Sequence, residues 1–345
     1  MNIGFHSFYQ VYNQNRMFLD ASSPIGDDLM YPFVYLGKYF KSRGYSFSTI
    51  DMEPLSNYDA IVFFDYPTKF NKFFRKLLDM KNPPPMYLVI CEPKVIRPDN
   101  WDIKKHKYFR KVFTSNLDLI DNQKYIYLNL ACKIERDKNN FEITIKGKFC
   151  ALISSNKYSN RPQELYSKRR EAIRWFEKNY PSEFDLYGVD WDRFFLPLLG
   201  RANFLLAGIY RLAPWVPHIR SRLAYKGRIK EKRSVLSQYK FAICFENVIA
   251  PGYVTEKILD CFMAGVIPIY LGAPEIETLI PRETYIDMRD FSSYEDLYKY
   301  LKLMSSQTYQ AHLDAIFEFL GSEAINPWTP ECFAETLENE VCINE

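Results

Sequence analysis

Residues 239–272, YKFAICFENVIAPGYVTEKILDCFMAGVIPIYLG, contain an apolar run, a polar loop, a helix-like segment and a second apolar run. Pro251 and Gly252 mark the loop, and Thr255 is suited to cap a helix that ends at Gly265. The apolar residues of this helix recur on one stripe: Ile258, Leu259, Phe262 and Met263. A strand–helix–strand unit predicts a parallel sheet with the loop at its carboxyl edge, where doubly wound folds bind ligands.

Lys257 lies in the first turn of this predicted helix. The first backbone N–H groups of a helix have no intrahelical partner and carry partial positive charge, so a lysine beside them favours an anion such as a diphosphate. Its neighbour Glu256 projects about 100° away around the helix. We therefore expect that the two side chains do not pair, and that Glu256 points into a cleft while Lys257 points at phosphate.

Three short motifs in this stretch occur in a specific order: FEN (245–247), GYVTEK (252–257) and PIYLG (268–272). Together they resemble the signature of the α1,3/4-fucosyltransferases, glycosyltransferase family 10, in the form of a bacterial-type soluble member. Similar segments occur on both sides, and the resemblance covers roughly two thirds of the chain. These segments are ICEPKVIRPDNW (90–101), LISSN (152–156), LYSKRREAIRWFEKN (165–179), DLYG (185–188), IPRETYIDMRDF (280–291) and SYEDLYKYL (293–301).

The rest of the chain alternates strand-like and helix-like segments, which predicts an α/β protein with parallel sheets. With 345 residues, 47% of them hydrophobic, it has enough material for two packed domains. The resemblance implies the GT-B architecture, in which two Rossmann-like, doubly wound domains face each other across a cleft. We predict an acceptor-binding domain over residues 1–147, a donor-binding domain for the GDP-sugar over 148–320, and a helical tail over 321–345.

Composition excludes some classes of function. The formal net charge of +3 is too small to indicate nucleic-acid binding, and no apolar run reaches the roughly 20 residues of a membrane span. The seven cysteines form no CxxC motif, and several lie in apolar runs, which favours a reducing compartment. We expect a cytoplasmic protein.

Residues 194–233 depart from the compact family pattern, because apolar pieces alternate there with many basic residues. One interpretation, which we favour, is an insertion that packs on the second domain. The other is a peripheral contact with the anionic inner face of a membrane that carries a lipid-linked glycan acceptor.

Glu92 is the candidate catalytic base. It follows the strand-like segment MYLVIC and precedes Pro93, so it lies at the carboxyl edge of the first sheet. The family has a catalytic glutamate in an E-x-x-x-I-x-P context, which residues 92–98 match. The alternative is a strand-end carboxylate held by a loop amide. Asp65, which ends the strand-like IVFFD, competes on the same geometry and is interpreted as structural or acceptor-side.

The resemblance also implies donor-binding residues in the second half of the chain. Arg169 or its neighbour Arg170 contacts the diphosphate, while Asn247 and Tyr253 line the donor pocket. Glu256 contacts the ribose or the transferred sugar and is a second candidate catalytic residue. The alternative for the arginines is a solvated basic helix face. Three motif positions are interpreted as structural: Glu246, Gly252 and Gly265.

Other signals are discounted. Asp190-Trp191-Asp192 matches D-x-D, a metal-binding triplet of another glycosyltransferase fold, but such triplets are common by chance. The four histidines lack ligand spacing, and no GxGxxG motif is present. We therefore expect no metal and no cofactor besides the donor substrate.

These patterns predict an inverting, metal-independent glycosyltransferase. By resemblance, it moves L-fucose from GDP-fucose to the 3-OH or 4-OH of N-acetylglucosamine or another hexose. The acceptor glycan would be a lipopolysaccharide, an O-antigen, a Lewis-type oligosaccharide or a glycoprotein glycan. Two alternatives stay open: a GT-B transferase for another nucleotide sugar, and a non-catalytic protein that binds nucleotides or glycans.

Overall fold

A computed structural model describes residues 1–7, 9–19, 28–68, 70–141, 146–192 and 224–343. Within these ranges the chain forms two six-stranded sheets in which every neighbouring pair of strands is parallel. Strands β3 and β4 are buried along their whole length, as expected where helices cover both faces of a parallel sheet. The sheets confirm the predicted pair of Rossmann-like layers.

The first sheet has the strand order β2-β1-β3-β4-β5-β6. Its strands are β1 (Asn2–Ser7), β2 (Ser46–Thr49), β3 (Ala60–Phe64), β4 (Met86–Val89), β5 (Lys111–Thr114) and β6 (Tyr125–Tyr127). The described helices of this half are α1 (Tyr31–Ser42) and α2 (Lys72–Asp79). The chain leaves β1 in one direction for β2 and returns on its other side to β3, which creates a crevice between the carboxyl ends of β1 and β3.

The second sheet has the order β12-β11-β10-β7-β8-β9. Its strands are β7 (Lys148–Ile153), β8 (Phe184–Tyr187), β9 (Tyr225–Gly227), β10 (Tyr239–Phe245), β11 (Ile267–Leu271) and β12 (Ile286–Asp287). Its described helices are α3 (Tyr166–Asn179), α4 (Lys232–Leu236), α5 (Glu256–Met263), α6 (Tyr294–Leu303) and α7 (Ser306–Leu320). The strand order reverses between β7 and β10, so the second crevice lies at their carboxyl ends.

The motif region folds as its pattern predicts. Strands β10 and β11 pair in parallel, with Phe241 opposite Ile267. The Thr255 side chain caps α5 by accepting a hydrogen bond from the backbone N–H of Lys257. The apolar stripe of α5 is fully buried, and Gly265 follows the helix with a φ of 61°. The local sequence therefore determines both the helix and its ends.

The C-terminal segment returns to the first sheet. Helix α8 (Pro330–Glu338) packs against α1, and the ring of Phe333 lies 6.1 Å from that of Phe33 and 6.5 Å from that of Phe64. Near its end, Glu338 accepts hydrogen bonds from Tyr39 (2.6 Å) and Arg43 (2.9 Å). This helix contributes to the core of the first half of the molecule.

The predicted insertion at 194–233 is only partly observable. Residues 194–223 lie outside the described part of the chain. The remainder differs from the prediction, because residues 225–227 form β9, which pairs with β8, and α4 begins at Lys232. The basic stretch after residue 223 is therefore part of the second sheet and of the connection that follows it. In the described ranges, no helix combines the length and apolar character needed to cross a bilayer.

Candidate active site

A cleft of about 660 Å³ lies between the carboxyl edges of the two sheets. Side chains from both halves of the chain line it. Among the residues predicted from the sequence, Glu92, Arg169, Asn247, Tyr253, Glu256 and Lys257 line the cleft. Arg170 does not, because its guanidinium turns away and donates a hydrogen bond to the carbonyl oxygen of Lys157 (2.6 Å).

The backbone of Glu92 is held by a buried polar cluster. Asp65 follows β3 with a φ of 63°, and its Oδ1 accepts hydrogen bonds from the N–H groups of Cys91 (2.8 Å) and Glu92 (3.0 Å). Asn100 donates to the same oxygen (2.6 Å) and to the Glu92 carbonyl (3.1 Å), which also accepts from Trp101 (3.1 Å). The Glu92 carboxylate makes no hydrogen bond to a described residue. The cluster therefore fixes the backbone of Glu92 and leaves its carboxylate available to a ligand in the cleft.

Burial raises the pKa of Glu92 to about 7, and the negative charge of Asp65 adds to this effect. Glu256 acts in the same direction from across the cleft, while the positive charges of Lys157 and Lys257 oppose it. A carboxylate with a pKa near neutrality can accept a proton from a hydroxyl and later release it to water.

Lys257 is surrounded by acceptors. Its ammonium donates to Glu246 (3.0 Å) and to Thr255 Oγ1 (2.8 Å), and it lies 3.6 Å from Glu256. The expectation that Glu256 and Lys257 do not pair is therefore wrong. Their Cα–Cβ directions diverge, but the long lysine stem lets the ammonium settle between the carboxylates of Glu246 and Glu256.

This ion cluster fixes the charge of its members. Burial alone would lower the pKa of Lys257, but the carboxylates of Glu246 and Glu256 raise it above its usual value. Burial opposes ionisation of Glu256 as well, and there Lys257 and Lys232 outweigh it and lower the pKa to about 2. Both groups are charged at neutral pH.

The three motif positions interpreted as structural lie outside the cleft lining. Glu246 is fully buried and accepts hydrogen bonds from the Thr255 N–H (2.9 Å) and from its hydroxyl. Gly252 has a φ of 67°, and a Cβ there would overlap the carbonyl oxygen of Ser115 in the first half of the chain. At Gly265, a Cβ would overlap the carbonyl of Asn140. The loop before α5 is therefore hydrogen-bonded to Glu246 at Thr255 and packs closely against the first half of the chain at Gly252.

Arg169 organises the other side of this loop. Its side chain is only 4% exposed, and Nε and Nη2 both donate to the carbonyl of Phe245 (3.1 and 2.6 Å). Nη2 also donates to Asn247 Oδ1 (3.0 Å), and Asn247 donates in turn to the hydroxyl of Tyr253 (3.1 Å). Only Nη1 has no hydrogen bond to a described residue, so it is the group of Arg169 that can meet a ligand in the cleft.

Sequence reasoning did not identify several basic residues of the cleft. Lys157 follows β7, and its location in the loop SSNKYSN beside a predicted strand end was the available signal. The others follow β9, in the segment interpreted as an insertion: Arg228, Lys230 and Lys232. In the described part of the lining, six cationic side chains face four carboxylates, which favours an anionic ligand.

The discounted D-x-D triplet is not part of the described lining. Asp190 has a φ of 66° and lies 3.4 Å from Arg228, while Trp191 donates to the carbonyl of Ser154 (2.6 Å). The triplet therefore forms contacts at the end of β8.

Parts of this chain are similar to known proteins. Residues 220–316 match the model of glycosyltransferase family 10 (fucosyltransferase), C-terminal part. The chain is 37% identical over 100 residues to the alpha-(1,3)-fucosyltransferase FucT of Helicobacter pylori, which is 29% of this chain and 20% of that protein. It is 42% identical over 69 residues to the mouse 4-galactosyl-N-acetylglucosaminide 3-alpha-L-fucosyltransferase 9, which is 19% of each chain.

The aligned parts thus span about a fifth of the length of these relatives. A crystal structure of an alpha1,3-fucosyltransferase with GDP superposes with a TM-score of 0.54 over 98% of this chain and 89% of that one, at 16% identity. This likeness confirms the GT-B fold. The family match includes α5 and the loop before it, so this part of the chain is similar to the C-terminal part of glycosyltransferase family 10.

Proposed function

We propose that the protein is an inverting, metal-independent transferase that moves L-fucose from GDP-fucose to a hydroxyl of a glycan acceptor. One observation carries the proposal: Glu92 of the first half and Lys257, Arg169 and Glu256 of the second half line the same cleft. This arrangement supplies a base on one side and an anion site on the other. The family match supports the choice of a GDP-fucose donor.

The diphosphate of the donor would bind at the N-terminus of α5. Lys257 stays protonated there, and Arg169 Nη1 and Lys157 offer further positive charge. A diphosphate oxygen would compete with Glu256 for the Lys257 ammonium, since these two groups are 3.6 Å apart. Glu256 would then turn to the ribose or the transferred sugar. Lys257 would thus bind the phosphate and Glu256 the sugar, as we expect from the sequence.

Glu92 would act as the base. Its carboxylate removes the proton of the acceptor hydroxyl as the oxygen forms a bond to the anomeric carbon of fucose. The bond from that carbon to the diphosphate oxygen breaks on the opposite face, so the configuration inverts and GDP leaves with the electron pair. The cationic side chains stabilise the negative charge that develops on GDP, which removes the need for a metal.

The test is GDP release from GDP-fucose with 4-galactosyl-N-acetylglucosamine, the acceptor named for the mouse relative. Glu92→Gln should lower kcat about 10²–10⁴-fold while GDP still binds. Glu323→Gln, an exposed glutamate outside the cleft lining, should retain full activity. A Glu92→Gln enzyme with near-normal turnover would contradict the assignment of the base.

Two further measurements address the other parts of the proposal. Activity should survive EDTA, and NMR of the product should show an anomeric configuration opposite to that of the donor. Thermal shifts with GDP-fucose, GDP-mannose and UDP-glucose identify the donor. Stronger stabilisation by UDP-glucose would indicate another sugar, and nucleotide binding without GDP release would indicate a binding protein.

The site of action is part of the same proposal. The cysteine usage supports the cytoplasm, and a lipid-linked acceptor would bring the protein to the inner face of a membrane. Residues 194–233 would form this contact, and the alternative is an insertion that packs on the second domain. Vesicle co-sedimentation of a variant that lacks 199–222 tests it, and unchanged sedimentation would exclude it.

A further inference from the structure

Positive charge is concentrated in two short segments of the first half of the chain. Residues 70–81 and 102–111 contain nine lysines and arginines against two aspartates, which is a net charge of +7, whereas the whole chain carries +3. The rest of the chain therefore carries a net charge of −4. A partner that meets these two segments experiences a local field much more positive than the overall charge indicates.

The two segments form one surface. The rings of Tyr108 and Phe74 are 5.8 Å apart, which joins residues 103–108 to α2. Leu78 follows Phe74 by one helical turn and lies on the same side of α2. The ammonium of Lys107 lies 5.1 Å from the centre of the Tyr108 ring. We call this surface the basic face, and its exposed residues are Lys72, Arg75, Lys76, Leu78, Ile103, Lys104, Lys107 and Tyr108.

The charges of the basic face are directed to solvent. None of its five cations forms an ion pair with a residue that the structure describes, and on α2 they recur at i, i+3 and i+4 along the exposed stripe. Lys105, which is not part of the face, pairs with Asp99 (2.6 Å) and Asp102 (3.4 Å). These nearby carboxylates are therefore already neutralised, and the five cations keep their charge for a partner.

Apolar side chains are exposed among these cations. Ile103 is 56% exposed and Leu78 is 43% exposed, and Phe70 precedes α2 with 75% exposure. Single exposed apolar residues are common, but here they are grouped beside the cations. Nucleic-acid phosphates would use the cations alone. An anionic lipid surface uses both, because its headgroups attract lysine and arginine while aliphatic and aromatic side chains enter the boundary with the acyl chains.

The basic face begins beside the active-site cleft. Phe70 and Lys72 line a cavity of about 850 Å³ at the carboxyl edge of the first sheet. Ser7 lines both this cavity and the cleft, so the two spaces meet there. A bilayer that contacts the N-terminal end of α2 therefore lies close to the opening of the cleft.

We propose that the basic face docks the protein on the anionic surface of a lipid bilayer. The five cations bind the headgroups, and Leu78 and Ile103 enter the boundary between headgroups and acyl chains. This surface belongs to the first half of the chain and is separate from residues 194–233. The inference goes beyond the proposed reaction and does not depend on it.

Co-sedimentation of the full chain with vesicles tests the charged part of this surface. One set of vesicles contains phosphatidylglycerol and phosphatidylcholine in equal parts, and the other contains phosphatidylcholine alone. We expect binding to the first set only. Lys104→Glu combined with Lys107→Glu should lower the partition coefficient at least about tenfold. The matched control combines Lys178→Glu with Lys299→Glu, two exposed lysines of the second half, and should bind like the wild type.

The apolar part of the surface has its own test. Ile103→Ser should lower the partition coefficient on the phosphatidylglycerol vesicles at least about threefold, because it removes an aliphatic side chain from the acyl boundary. The matched control is Leu303→Ser, since Leu303 is exposed at the end of α6 in the second half. It should bind like the wild type. All four positions are exposed, and circular dichroism verifies that each variant folds.

Absence of wild-type binding to phosphatidylglycerol vesicles would overturn the proposal, as would equal binding by the Lys104/Lys107 variant and its control. Unchanged binding by Ile103→Ser would also overturn it, because a purely electrostatic face suits an acidic protein or a nucleic acid equally well. Loss of binding only in the variant that lacks 199–222 would assign the contact to that segment instead. These measurements use neither donor nor acceptor, so their outcome is independent of fucosyl transfer.

Discussion

At the scale of single residues, the chemistry depends on how two neighbouring carboxylates differ. Glu92 and Asp65 both follow strands of the first sheet, and the sequence predicts this placement because parallel strands end at one edge. The sequence does not show that the Asp65 carboxylate accepts a hydrogen bond from the backbone N–H of Glu92. That contact depends on the positive φ of Asp65 and on Asn100, which donates a hydrogen bond to the same carboxylate oxygen. Long side chains also limit prediction from sequence, because their charged ends can reach groups that the Cα–Cβ direction does not point to. Lys257 pairs with Glu256 in this way.

These contacts predict the pH dependence of activity. Glu92 must lose its proton to act as a base, so kcat/KM should rise with pH through about 7. Asp65→Asn keeps an oxygen for the backbone N–H groups but removes a negative charge. The pKa of Glu92 should fall, and the acid limb of the pH–rate profile should move to lower pH. An unmoved limb, with Asp79→Asn as the control, would show that Asp65 does not tune the base.

The raised pKa of Glu92 also determines how its contribution to stability changes with pH. Because the folded-state pKa of Glu92 lies above its ordinary value of 4.5, the folded protein binds more protons than the unfolded chain between about pH 4.5 and 7. The Glu92 contribution to the free energy of unfolding therefore decreases as pH rises through this window. Urea unfolding at several pH values should show a smaller decrease for Glu92→Gln than for the wild type.

At the scale of elements, the loop between β10 and α5 is the part best predicted from sequence. Its cap, the helix that follows it and the glycines at 252 and 265 are local features, so residues 245–265 contain the information for them. What the sequence cannot supply is the partner of the loop in the other half of the chain. Gly252 packs against Ser115, about 140 positions away, and no local pattern encodes that approach. The cleft depends on it, because Tyr253 and Glu256 follow directly.

Gly252→Ala tests this contact. Alanine at a φ of 67° costs about 1–2 kcal/mol, and its methyl group also overlaps the Ser115 carbonyl, so the loop must move. Gly44→Ala has a φ of 81° and no atom within 4 Å of the added Cβ, so it carries the backbone cost alone. We expect Gly252→Ala to lower the free energy of unfolding more than Gly44→Ala, and only Gly252→Ala to weaken GDP binding. Equal effects on GDP affinity would contradict this role of the loop.

At the scale of the whole molecule, the part of the chain that the structure describes crosses between its halves twice. It passes from the first sheet to the second between β6 and β7, and it returns through the segment after α7 to dock α8 on α1. The repeating strand–helix pattern predicts two parallel sheets. It does not predict where a terminal helix packs, because that depends on which apolar surface the other elements leave uncovered. Phe333 and Leu337 complete the core of the first half, and Phe333 also lines the cleft.

Helix α8 should therefore support the stability of the whole chain. Leu337 is fully buried in the core that α8 shares with the first half of the chain, so Leu337→Ala should lower the free energy of unfolding by about 2–5 kcal/mol. Leu303→Ala, in which the same side chain is 83% exposed at the end of α6, should change it by no more than about 0.5 kcal/mol. Urea unfolding followed by circular dichroism measures both. Both substitutions replace leucine by alanine in a helix, and they differ only in whether the leucine is buried. Equal effects would therefore mean that α8 contributes little to stability.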